Sequence, residues 1–162
     1  MAEPSVLLGP AVTHVALVDT RPNSIWNPNP ATVPEIVLAM DRLQPFYGRL
    51  AALSALPANW DSYGASPIGG KAISGAQRLV SKLSREFPDA EGTAPYTLAP
   101  LANGGVQIEW RGPHGALELE VDPKGRISGL LVEDHETGRS YEERSRLSMT
   151  DATLLVSRTL GL

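Results

Sequence analysis

The chain has 162 residues, 42% of them hydrophobic and 20% charged, with a net charge of −4. That is one domain's length with enough apolar content for a real core. The mildly acidic balance argues against nucleic acid as the main partner, because phosphate binding needs clustered Lys and Arg. With no cysteine, a disulfide framework, a thiol nucleophile and a thiolate metal site are all excluded, which suits a cytoplasmic protein.

Residues 1–31 read as an extended arm rich in Pro and Asn, with one strand over Val12–Val18. Gly9-Pro10 interrupts the apolar run that starts at Val6, so no signal peptide is expected, and no window of the sequence reaches the length of a membrane span. The alternating prolines at Pro22, Pro28 and Pro30 remove amide donors and restrict their neighbours, so this stretch is not helix. It carries Ile25 and Trp26. Either the arm lies across the domain and buries Trp26 in its own core, or Trp26 anchors a partner.

Residues 32–162 read as a single α+β domain. A first helix opens at Thr32-Val33-Pro34-Glu35, a capping-box pattern with proline in the first turn. Ile36, Met40, Leu43, Tyr47 and Leu50 follow at helical spacing, and Pro45 is expected to kink or split the helix. The chain then turns through Leu56-Pro57-Ala58-Asn59 into Trp60-Asp61-Ser62-Tyr63-Gly64-Ala65. A second helix is expected from Ser66-Pro67, with Ala72, Ile73, Ala76, Leu79, Val80, Leu83 and Phe87 as its apolar stripe and Pro88 at its end.

After a Gly/Ala/Pro loop the period changes to two. Val106, Ile108 and Trp110 face one way and Gln107 and Glu109 the other; Leu117, Leu119 and Val121 repeat the pattern, with Glu118 and Glu120 outward. Arg111–Gly115 joins the two as a hairpin, and Asp122-Pro123-Lys124-Gly125 turns into a strand over Ile127–Glu133. A further turn leads to a short strand around Tyr141, and a helix over Thr150–Leu160 ends at Gly161. The expected architecture is two or three helices on one face of an antiparallel meander with one wet face.

Several chemistries fail on residue type. Ala65–Ala72 has the glycines and Lys71 of a phosphate-binding loop, but Ala72 stands where a Ser or Thr would hold magnesium and Pro67 lacks an amide donor. His14, His114 and His135 are scattered, without zinc-ligand spacing or a nucleophile elbow. Arg139, Arg144 and Arg146 are interrupted by Glu142 and Glu143 and read as a solvated strand end. Glu109, Glu118 and Glu120 share a strand face. They are either a solvated face or, if they converge, ligands for Mg²⁺ or Mn²⁺ in a metal-dependent hydrolase or nuclease. In the segment Trp60–Ala65, Asp61 is a natural turn acceptor and Gly64 can take a positive φ. One reading makes it a corner that locks the first two helices together and plants Trp60 in the core. The other makes it a recognition corner where Tyr63 and Asp61 present polar groups to a partner.

The succession of Trp60–Ala65, Pro67, the helix opening Ala72-Ile73-x-x-Ala76, the strand Gly104-Gly105-Val106-Gln107-Ile108-Glu109-Trp110 and the closing Pro123-Lys124-Gly125 resembles a set of uncharacterised small bacterial proteins. They share WDxYGA and GGVQxEW motifs. The resemblance spans roughly Leu53 to Val132. It implies an accessory member of a small bacterial gene module, of toxin–antitoxin or defence type, and carries over no catalytic residue. The sequence thus favours a non-enzymatic accessory subunit without cofactor. It would bind another protein subunit, or itself, through Ile25, Trp26, Trp60, Asp61, Tyr63 and any uncovered apolar sheet edge. The carboxylate-based hydrolase and a small-ligand sensor, with a pocket between helices and sheet, are the alternatives.

Overall fold

A computed structural model describes residues 32–162 apart from 89, 91 and 114. Three helices and five strands follow in the order α1 (Thr32–Ser54), α2 (Gly70–Glu86), β1 (Thr97–Pro100), β2 (Val106–Gly112), β3 (Gly115–Val121), β4 (Ile127–His135), β5 (Gly138–Leu147) and α3 (Met149–Leu160). The strands form one antiparallel meander in the order β1-β2-β3-β4-β5. The α+β expectation holds, with three helices against the sheet. The arm of residues 1–31, its strand Val12–Val18, Ile25, Trp26, His14 and His114 lie outside the described residues.

The alternation in β2 and β3 dictates where the core lies. Val106, Ile108 and Trp110 stand opposite Val121, Leu119 and Leu117 in register, and all six are fully buried. The next strand extends the same face through Ile127 and Leu131. Against it pack Leu43, Phe46 and Leu50 of α1, Ala72, Ala76, Leu79, Val80 and Leu83 of α2, and Ala152, Leu155 and Val156 of α3. Trp110 is the largest fully buried side chain; its Nε1 donates to the Thr93 carbonyl at 3.2 Å, so its polar tip is satisfied. Polar bonds fasten the layers at their margins: Tyr47 Oη to Ser81 Oγ joins α1 to α2 at 2.9 Å, and Arg158 donates to Glu133 at 2.5 Å to tie α3 to β4.

Four expectations need correcting. α1 runs through Pro45 as one helix, so the proline does not split it in two, and Phe46 beside it is buried in the core. α2 starts at Gly70 rather than at Ser66-Pro67. The Ser66 and Gly69 amides are instead taken by the Ala102 and Gly104 carbonyls, each at 2.8 Å, which holds the preceding residues against the β1–β2 turn. That turn exists because Thr97–Pro100, expected to be loop, is a strand pairing with β2. Finally, β5 is ten residues long rather than a short piece around Tyr141. Its Arg- and Glu-rich edge is also not the apolar edge expected as a contact surface.

The C-terminal helix keeps its expected place. Ser148 accepts from the Asp151 amide while Asp151 accepts from the Ser148 amide, a reciprocal capping box, and Gly161 closes the helix at a φ of 74°.

Candidate functional site

The segment joining α1 to α2 is fixed mainly by its own side chains and backbone. Asp61 Oδ1 accepts from the amides of Tyr63 at 2.8 Å and Ala65 at 3.0 Å. Asn59 Oδ1 accepts from the Gly64 amide at 2.7 Å, and the Asn59 amide donates to the Ala65 carbonyl at 2.7 Å. Trp60 Nε1 donates to the Ser66 carbonyl at 3.2 Å. These bonds hold three residues in the left-handed region: Asn59 at φ 62°, Ser62 at 65° and Gly64 at 95°. Such conformations cost on the order of 1–3 kcal/mol for a non-glycine residue and persist only where the surroundings over-determine them.

The far end of the segment is anchored in the interior. Ala65 and Ile68 are buried, and the Ser66 and Gly69 amide bonds to Ala102 and Gly104 clamp it to the β1–β2 turn. The two sequence motifs are therefore one structural joint. Gly104 has a φ of +85°, and a Cβ there would stand 2.7 Å from the Pro67 carbonyl oxygen. Only glycine lets the two backbones approach so closely. The nearby turn is wired the same way: Asp122 Oδ1 accepts from the amides of Lys124 and Arg126, and Asp122 pairs with the Arg126 side chain.

What this rigid corner displays is Tyr63, 94% exposed and the most exposed large hydrophobic residue among those described. The corner does link α1 to α2 as expected. Trp60, however, is half-buried and outside the core cluster, contrary to the reading that planted it in the core; its N–H is used locally, on the Ser66 carbonyl. Asp61 is likewise turned to its own backbone. Hydrogen bonds from the Tyr63 and Ala65 amides hold its carboxyl below the usual aspartate range.

The carboxylates expected to share a strand face do so. Glu109 stands opposite Glu118, and Glu120 lies two residues along β3 opposite Gln107. On this face, away from the helices, shallow troughs are lined by Glu118, Glu120, Ser128, Leu130 and Glu143, and by Glu109, Ala116, Val132 and Tyr141. Partial burial, then the charges of Glu120 and Glu109, pushes the Glu118 carboxyl up. Glu109 is neutralised by Arg111 at 2.9 Å, and that guanidinium also lies 4.1 Å from the Tyr96 ring centroid. Among the described residues no three His, Asp or Glu groups stand close enough to hold a metal ion. The hydrolase alternative therefore takes no support from this face. His135 sits at the exposed β4–β5 hairpin, 2.9 Å from Ser140 Oγ.

No described helix is long and apolar enough to cross a membrane. Comparison of the chain with protein-family models, with curated proteins and with solved structures gave no match in any of the three.

The motif around Asp61 showed a turn acceptor in the sequence, but not which aromatic would be buried. Trp60 and Tyr63 are both large amphipathic residues, and only the backbone path separates their fates.

Proposed function

We propose that this chain is a non-enzymatic, protein-binding accessory subunit whose corner around Tyr63 is a preformed recognition surface. One observation carries the reading. Two non-glycine residues are held at positive φ by side-chain and backbone bonds, and the product is an aromatic ring almost wholly in water. Strain of this kind clusters at binding and switch sites. A tyrosine on a fixed backbone supplies amphipathic contact area and has only two side-chain torsions to order on binding. Tyrosine is also enriched among residues that dominate interface energetics. Membership of a bacterial module of toxin–antitoxin or defence type rests on the sequence resemblance alone.

The test is affinity capture from the native host with the full chain and with Tyr63→Ala. The truncation removes an exposed side chain, so the thermal midpoint should stay within about a degree, as for surface substitutions away from packed features. A protein retained by the parent and lost by the variant is the expected outcome. Equal retention by both, or none by either, would overturn the reading.

A further inference from the structure

Among the described residues β5 is paired on one side only, with β4. Nine of its ten residues are exposed. A free edge of this length offers a row of unpaired N–H and C=O groups to another strand. What it accepts is decided by its side chains. When identical strands pair antiparallel about a two-fold axis, one residue faces its own copy and its neighbours on the same face stand opposite one another.

The regular part of β5 ends near Arg144. The register with β4 shifts between Ile127 and Gly129, and Arg146 takes a φ of 58°. Tyr141 is thus the middle residue of the run Gly138–Arg144. With Tyr141 on the axis, Arg139 faces Glu143 of the second copy, the symmetric pair repeats on the other side, and Ser140 faces Glu142. With Glu142, Glu143 or Arg144 on the axis, like charges meet at the centre, an arrangement that destabilises a strand pair.

Tyr141 is 67% exposed, and it lies opposite Val132 on the sheet face away from the helices. On the axis it would meet its copy as an aromatic cross-strand pair. Arg139 is oriented for the same role. Its Nε donates to Asp134 at 2.6 Å and the guanidinium also lies in reach of the Tyr141 hydroxyl; with five N–H donors in the fork, it can still meet a carboxylate across the axis. Glu142 and Arg144 pair with each other at 2.6 Å and do not compete.

We propose that two copies of this chain pair antiparallel along β5 with Tyr141 at the two-fold axis, joining their sheets into one. The experiment is sedimentation velocity on the full chain over a wide concentration range, with hydrogen exchange on the same samples. Expected is a species of twice the 17.3 kDa chain mass, with the amides of Gly138–Arg144 protected only where that species is populated. Glu143→Arg and Arg139→Glu, each alone, place like charges opposite one another and should give monomers. An equimolar mixture of the two should restore a dimer, because each then faces its complement. Tyr141→Glu, at an exposed position, should also give a folded monomer. A parent chain that stays monomeric with exchanging β5 amides overturns the proposal. So does a monomer with those amides protected, which would mean that a segment of the same chain, such as Val12–Val18, covers the edge. So does a dimer that neither single charge reversal weakens.

Discussion

Replacing Gly104 with alanine tests the joint between the corner and the sheet, and Gly64→Ala is its internal control. Both glycines have positive φ, +85° and +95°, so both substitutions carry backbone strain of about 1–2 kcal/mol. Both also remove a similar amount of unfolded-chain freedom, about 0.4–1 kcal/mol in the stabilising direction, which cancels in the comparison. They differ in what the new methyl meets. At Gly64 nothing lies within 4 Å. At Gly104 the Pro67 carbonyl oxygen stands at 2.7 Å, with Ser66 Cβ at 3.4 Å and Pro123 Cγ at 3.5 Å behind it. Pro67 lies between the two amides that clamp the corner to Ala102 and Gly104, so its retreat must stretch those bonds. Overpacking of this kind costs about 1–3 kcal/mol. Gly104→Ala should therefore be less stable than Gly64→Ala by about 1–3 kcal/mol. The assay is urea unfolding with an unchanged m-value, so that midpoints compare directly. Equal midpoints for the two variants would refute the close approach, and with it the physical union of the two motifs.

The remaining predictions concern ionisation and capping. The Asp61 carboxyl is held low by backbone bonds, so its contribution to the corner is complete above the ordinary aspartate range and is lost as pH falls through its depressed pKa. The Tyr63 and Ala65 amide resonances should therefore titrate below that range, and Asp61→Asn should abolish the titration. Glu118 has the opposite sign: its raised pKa means that ionisation penalises the fold above that pKa, and the penalty disappears once pH is below the ordinary glutamate range. Glu118→Gln should raise the unfolding midpoint at neutral pH and leave it unchanged in acid, measured by thermal melts at both. Ser148→Ala breaks the capping box of α3 and should cost about 0.5–2 kcal/mol in urea unfolding.

How far the fold could be read depended on whether each element's own residues or its neighbours fixed it. β2 and β3 were legible because Val106, Ile108, Trp110, Leu117, Leu119 and Val121 each contribute an inward side chain, and period two follows directly. The full length of β5 was not, because its residues are exposed on both faces and leave no alternation; pairing with β4 makes it a strand. β1 is four residues ending in Pro100, too short for a pattern. Ser66-Pro67 is a sound helix start in isolation, but the Ser66 amide is bonded to Ala102, a distant contact no local rule reports. At the corner, Asp61 and Gly64 announced a turn. The exposure of Tyr63 goes with the left-handed conformations of Asn59 and Ser62, which the bonds of the folded corner select and a local rule does not report.

Whether Tyr63 meets a partner is tested most directly by placing a photo-crosslinking amino acid at position 63 of the full chain in its native host, with the same group at the exposed Arg85 of α2 as control. A discrete heavier product is expected from position 63 and none from position 85. No product from position 63, or the same product from both positions, would contradict it.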